Sequence, residues 1–207
     1  MIDHARDLES VDEATERLLA AVAGLDNAAA AEPSRLPGWS RGHVLAHLSR
    51  NADAIGNVLT GLPMYASAEA RDADIERDAH RPLDVQLTDL RESAARFRER
   101  TALPADWSRT VTLRNGVTDT AARVPFRRWA EIELHHVDLG IGYELEDLPA
   151  EFTERETDFL RDRFSGDPAV AGVSGPATAL LGWLSGRGDG KGLTVPGGGA
   201  LPALPSL

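Results

Sequence analysis

The sequence predicts a mainly α fold, a four-helix bundle followed by a small C-terminal lobe of α/β or irregular structure. Of the 207 residues 42% are hydrophobic but only 5% are aromatic, so the core is built mainly from Leu, Val, Ile and Ala. Leu and Ala favour helices, and apolar residues recur at helical spacing in four long segments. We expect a main domain at residues 1–164 and a second at 165–207.

Three of the four long helices are predicted in the first half of the chain. Apolar residues at helical spacing mark the first helix over residues 3–25. Ser40 is placed as the N-cap of a second helix over about 41–62, and Ser67 as the cap of a shorter one. A third long helix opens at Pro82 and is expected to end near Leu103 and Pro104.

The second half begins with a weakly alternating segment, residues 107–124. It is centred on Asn115 and Gly116, a pair that favours a tight turn, which predicts a small hairpin or an irregular loop. From residue 165 onward Gly and Pro recur at short intervals, which predicts little regular structure. Helical patterns are predicted from near Pro125 for the fourth long helix, over about 150–164, and over 176–185.

Charge and composition exclude several classes of protein. The formal net charge of -11, without a basic stripe, disfavours nucleic-acid binding. Acidic residues interrupt any apolar run that a signal peptide would need, and no stretch is long enough to span a membrane. The absence of cysteine excludes disulfides, thiolate metal ligands and a protein thiol nucleophile, and it fits a reducing compartment. We therefore expect a cytoplasmic protein. A monomer is also expected.

The fourth helix carries a spacing typical of metal ligands. Glu131, His135 and Asp138 stand at i, i+4 and i+7, so they share one helix face. His47 borders the apolar stripe of the second helix and can face the fourth helix inside a bundle. Two imidazoles and one carboxylate suit zinc, and three protein ligands leave positions open for water or substrate, as in catalytic sites.

Other interpretations of these residues stay open on the spacing alone. They could be buried polar groups that satisfy one another, for instance through a hydrogen bond between Glu131 and His47. His43 and His47 form an i, i+4 pair that could bind together, although His43 is placed as an exposed or capping first-turn residue. His136 points about 100° away from His135 and is expected to pack or to support a metal ligand from behind. Asp138 either serves catalysis by orienting a ligand imidazole, the role given to it here, or is a surface charge.

Four blocks of sequence together resemble one family. They are GWSRGHVLAHLSRNADAI at 38–55, PMYASAEARDADI at 63–75, EIELHHVDLG at 131–140 and SGRGDG at 185–190. In this order they are similar to the blocks of the mycothiol-dependent maleylpyruvate isomerases. That family belongs to the wider DinB-like group of metal-binding four-helix bundles.

The resemblance implies roles for individual residues. His47, rather than His43, is the first zinc ligand, with Glu131 and His135 as the other two. Arg187 gains a place in the active site as a catalytic and cofactor-binding residue, where a guanidinium can hold a carboxylate bidentately. The stretch between Phe164 and Ala177 is shorter than the family pattern, so a reduced lobe is expected at 165–207.

The family also implies a reaction in aromatic compound catabolism. A zinc- and mycothiol-dependent isomerase would convert maleylpyruvate, or a similar cis-enoyl compound, to the trans isomer through thiolate addition, bond rotation and elimination. The main alternative is a mycothiol S-transferase acting on another electrophile with the same metal site. A zinc hydrolase, a zinc-binding anti-sigma factor and a plain structural bundle are further alternatives.

Overall fold

A computed structural model describes residues 2–103 and 106–204, and Pro104 lies outside this part. The chain divides into two compact units, Met1–Gly142 and Tyr143–Leu207. Helices dominate the described residues, which confirms the predicted class. None of the helices in this part combines the length and apolar character that crossing a lipid bilayer requires.

The first unit is a ring of four long helices. α3 packs against α5 and α6, and α1 packs against the same two helices, so the four enclose one core. The short α4 lies against α3. In chain order the helices are α1 (His4–Val22), α2 (Asn27–Ala31), α3 (Arg41–Leu59), α4 (Ala68–Ala79), α5 (Leu83–Thr101) and α6 (Val124–Asp138). The four long helices correspond to those predicted from apolar spacing.

Side-chain caps begin the helices where the sequence predicts them. The Ser40 hydroxyl accepts the backbone N–H of His43, and His43 Nδ1 accepts the backbone N–H of Ser40, which closes a capping box at the start of α3. Ser67 accepts the backbone N–H of Ala70 at the start of α4. Both predicted N-caps are confirmed.

The predicted hairpin precedes α6. β1 (Thr110–Thr112) and β2 (Thr118–Thr120) pair antiparallel. Asn115 and Gly116 between them have φ of 59° and 73°. Positive φ at both central positions is the geometry of the mirror-image turns that suit hairpins, and Asn and Gly adopt it most readily.

Gly42 lets α4 approach α3 at backbone distance. A Cβ at this position would lie 2.3 Å from the carbonyl oxygen of Ala79, at the C-terminal end of α4. The Gln86 side chain donates to the same carbonyl at 3.0 Å. Any residue larger than glycine would therefore push the end of α4 away from the start of α3.

Buried polar contacts join α6 to its two neighbours. Arg128, 1% exposed, donates to the Leu48 carbonyl at 3.0 Å and to Asn51 Oδ1 at 2.7 Å, both on α3. On the side of α1, Arg17 donates to the buried carboxylate of Glu133 at 2.5 Å. Because buried donors and acceptors need partners, these contacts favour one register of α6 against α3 and α1.

The second unit consists of α7 (Ala150–Arg163), α8 (Pro168–Ala171) and α9 (Ala177–Leu184). α7 packs against α9, so it belongs to this unit, which begins at Tyr143, whereas the predicted domain boundary lies after residue 164. Of the two alternatives for the lobe, the irregular one applies, since its described residues contain no strand and only an isolated bridge between Ser174 and Thr194.

We expect Arg128→Met to lower the free energy of unfolding by about 2–4 kcal/mol, because Asn51 loses its buried, charged donor. Urea denaturation followed by circular dichroism measures the change. Arg91, an exposed residue of α5, supplies the control, and Arg91→Met is expected to change stability by less than about 0.5 kcal/mol. Equal effects of the two substitutions would contradict the role given to Arg128.

Candidate metal centre

The two helices joined by Arg128 also carry the predicted metal ligands. His47 lies on α3, one turn before Asn51, and is 5% exposed. Glu131 and His135 stand four residues apart on α6, so both side chains leave the same face of that helix. The side chain of Glu131 is 33% exposed and that of His135 is 15% exposed. The cluster is therefore set into the bundle but remains open to solvent on one side.

The three side chains converge on one carboxylate oxygen. His47 Nε2 lies 3.0 Å and His135 Nε2 3.3 Å from Glu131 Oε2. The two imidazole rings meet edge to face, with centroids 4.7 Å apart. All three ligand atoms lie within 4.8 Å of one another. The hydrogen bond between His47 and Glu131, which the sequence left as the alternative to a metal, is present in this arrangement.

The donor set and its spacing fit a divalent metal. Ligand atoms around a tetrahedral zinc ion lie about 3.3 Å apart, since each is 2.0–2.1 Å from the ion. Asp138, 1% exposed, has its Oδ2 2.8 Å from His135 Nδ1. A carboxylate only accepts, so Nδ1 donates, and in the neutral imidazole Nε2 turns its lone pair toward Glu131 Oε2. The Nε2 lone pair and the carboxylate oxygen repel each other, and a cation bound between them would remove this repulsion.

The local environment keeps two of these groups in the form that binds metals. Burial lowers the pKa of His47 from 6.5 to about 4, so its imidazole is neutral at pH 7. Burial by itself would raise the pKa of Glu131. The contacts of its Oε2 with His135 and His47 outweigh this effect and hold that pKa well below 4.5. A neutral imidazole and an ionised carboxylate are the ligating species.

Arg71 and Tyr65 lie beside the cluster, although helical spacing indicates no role for either. Arg71 Nη2 lies 3.3 Å from His47 Nδ1, and its guanidinium lies 5.8 Å from the centroid of the Tyr65 ring. Burial raises the pKa of Tyr65, and the neighbouring charge of Glu131 adds to the shift. Both residues stand in the family-like block at 63–75. That block was the only signal for them, because the contact depends on how α4 packs against α3.

Other predicted residues have different surroundings. His43 caps α3 and belongs to a separate cluster described below. His136 is buried, 3% exposed, as expected for a packing residue. Arg187 lies in the second unit, where it donates to the Ser185 carbonyl at 3.1 Å. Its predicted role in the active site stays a prediction.

We expect Asp138→Asn to weaken zinc binding by about 10–100-fold, because an uncharged acceptor orients His135 less firmly and lowers its basicity. Competition with a chromophoric chelator measures the affinity. Asp84→Asn, at an exposed position of α5, is the control and should leave the affinity unchanged. An Asp138→Asn protein that is folded and binds zinc as tightly as the wild type would refute this role.

Solved structures similar to this chain support the predicted fold. One is described as the crystal structure of the mycothiol-dependent maleylpyruvate isomerase and matches with a TM-score of 0.87 and 25% identity, covering 99% of this chain and 97% of that chain. A histidine-to-alanine mutant of that isomerase matches with a TM-score of 0.85, 24% identity and the same coverage. The reduced C-terminal lobe stays a prediction. The match covers 97% of the solved isomerase chain, which does not favour a lobe much shorter than that of the isomerase.

Sequence comparison identifies the family. Among curated proteins no match is found. A family profile described as the mycothiol maleylpyruvate isomerase N-terminal domain matches residues 11–140, more than half of the chain. This span includes His47, Glu131 and His135, and it confirms the predicted family. The chain therefore belongs to the mycothiol maleylpyruvate isomerase family.

Proposed function

We propose that this protein is a zinc- and mycothiol-dependent isomerase that converts maleylpyruvate, or a similar cis-enoyl compound, to its trans isomer. The observation that carries the proposal is the convergence of His47, Glu131 and His135 in a chain of this family that has no cysteine. The thiol must then come from a small molecule. Mycothiol is the thiol named in the descriptions of the family and of the first matching structure.

The chain supplies a binding site with one solvent-accessible side. His47, Glu131 and His135 would hold the metal, and Asp138 would fix the tautomer of His135. A divalent metal held there supplies a positive charge that lowers the pKa of a coordinated thiol. His47 is neutral at pH 7, so it has no charge that would repel a cation. The partial exposure of Glu131 leaves an approach for the thiol and the substrate.

The proposed reaction conserves all atoms and electrons. The thiolate sulfur forms a bond with one carbon of the cis double bond, and the π electrons of that bond pass into the conjugated carbonyl. The remaining single bond rotates. The electrons return, the double bond reforms in the trans geometry and the carbon–sulfur bond breaks. The thiol is regenerated, so it acts in catalytic amount.

Arg71 offers a positive charge beside this site. Its side chain is 11% exposed, and Nη2 lies 3.3 Å from His47 while Nη1 donates to Asp72 Oδ1 at 2.7 Å. Maleylpyruvate carries carboxylates, which guanidinium groups recognise through paired hydrogen bonds. We assign Arg71 the role of holding a substrate carboxylate near the metal.

We also assign Arg187 a contact with substrate or mycothiol, because the block at 185–190 resembles that of the family. The cytoplasmic location and the monomeric state stay predictions.

We expect zinc-loaded protein to isomerise maleylpyruvate only when catalytic mycothiol is present, with all free thiol recovered at the end. The absorbance of the reaction mixture measures the isomer ratio, and titration with a thiol reagent measures the free thiol. His47→Ala should lower kcat/KM by roughly 10³-fold or more, because the site loses a ligand. Chelation should abolish turnover and added zinc should restore it.

The alternatives give different results in the same assay. Consumption of one thiol per product would show that the protein is an S-transferase and not an isomerase. Activity that persists without thiol would indicate a hydrolase that uses metal-activated water. His43→Ala, which removes a histidine one turn away on α3, is the matched control for His47→Ala and should retain turnover.

We expect Arg71→Met to lower kcat/KM by about 10–100-fold, because a substrate carboxylate loses its charged donor. Arg71→Lys should recover part of this loss, since it keeps the charge but not the paired geometry. Steady-state kinetics of these variants, of Arg187→Met and of the exposed control Arg91→Met measure the effect. If Arg71→Met is folded, binds zinc normally and keeps full kcat/KM, the assignment of Arg71 is wrong.

A further inference from the structure

A second His–Glu–His cluster lies at the start of α3 and the end of α4. His43 Nε2 is 3.2 Å from Glu76 Oε2, and His80 Nε2 is 3.2 Å from Glu76 Oε1. The ligand atoms of the three residues lie within 4.8 Å of one another. The imidazoles of His43 and His80 meet edge to face, with centroids 5.4 Å apart. One carboxylate thus presents its two oxygens to two imidazole nitrogens.

This cluster repeats the plan of the candidate metal centre. In both, a glutamate and a histidine four residues later come from one chain segment, and the third residue is a histidine of α3. The two histidines of α3 are themselves one turn apart, about 6 Å along the helix. The Trp39 ring lies beside both, with centroids 6.2 Å from His43 and 5.5 Å from His47. The two clusters are neighbours, but they share no residue.

The backbone holds the second cluster together before any ligand binds. Gly42 and Ala79 approach so closely that no Cβ fits between them, and His43 and His80 are the residues that follow them. This contact fixes the distance between the two histidine backbones. The Ser40 hydroxyl lies 2.7 Å from His43 Nδ1, which turns Nε2 of that ring toward Glu76. When Nε2 binds a metal, Nδ1 carries the ring proton and donates to this hydroxyl, in place of accepting the Ser40 backbone N–H.

We propose that His43, Glu76 and His80 form a second binding site for a divalent transition metal such as zinc. Two imidazoles and a carboxylate are ligands that zinc accepts, and oxygen–nitrogen separations of 3.2 Å are close to those around a tetrahedral ion. Hydrogen bonds from His80 and from His43 lower the pKa of Glu76, so its carboxylate is ionised at neutral pH and can ligate. The site is independent of the proposed isomerase activity.

Exposure makes this site the weaker of the two. The side chains of Glu76 and His80 are 69% and 67% exposed, while that of His43 is 12% exposed. Mobile exposed side chains lose more conformational entropy on binding than the packed ligands of the first centre. His43 and His80 also line a cleft of about 820 Å³, so a cation held by them can exchange with solvent. We expect affinity at least about 10-fold lower than at the first centre.

Zinc titration of tag-free, metal-stripped protein tests the proposal. Isothermal calorimetry, and elemental analysis after dialysis against buffer of fixed free zinc concentration, should show two zinc ions per chain, one tight and one weak. His80→Ala and Glu76→Gln should each lose the weak ion and keep the tight one. His47→Ala should lose the tight ion and keep the weak one, which separates this proposal from that for the first centre.

Matched substitutions test whether the second zinc ion binds specifically to His43, Glu76 and His80 or to surface histidines in general. His4→Ala removes a histidine that stacks on Trp107 and belongs to neither cluster, and Glu69→Gln removes an exposed carboxylate of α4. Both should retain two ions. The proposal is overturned if the wild type binds no second zinc in tenfold excess of metal, or if the weak ion survives both His80→Ala and Glu76→Gln in proteins with unchanged circular dichroism.

Discussion

The contact between α3 and α6 is the constraint on which the candidate metal centre depends. His47 comes from one helix and Glu131 and His135 from the other, so a small slip between the two helices would separate the ligand atoms. Arg128 opposes such a slip because its buried guanidinium bonds to Leu48 and Asn51 of α3, within one turn of His47. A buried charge without its partners is costly, so other registers are disfavoured. The interaction that stabilises the bundle thus also sets the geometry of the site.

The electrostatics of the centre follow from partial burial. His47 is enclosed enough to stay neutral at pH 7, whereas Glu131 stays ionised because two imidazoles contact it. These protonation states leave one negative charge beside the neutral ring of His47. Arg71 adds a positive charge at the edge of the site. The arrangement suits a cation at the centre and an anionic substrate beside it, which is the combination that the proposed function needs.

Two histidines one turn apart on the same face of α3 have different surroundings because they lie opposite different elements along the helix. His47 faces α6 inside the bundle, and His43 faces the end of α4 at the surface. Gly42 permits the close approach of α4 that gives His43 its neighbours. One helix therefore serves two clusters of the same composition, and their difference in exposure predicts their order of affinity.

The sequence by itself determined the four long helices, the caps at Ser40 and Ser67, the Asn115–Gly116 turn and the family, because these depend on local periodicity, local hydrogen bonds and short blocks. It also indicated Glu131 and His135 as a pair, since four residues along a helix define a face. The family resemblance implied that His47 joins this pair, but only the tertiary structure decided that their side chains are in contact, that Arg71 stands beside them and that α7 belongs to the second unit. Those contacts join residues distant in the chain, and no local pattern encodes which buried surfaces pack together.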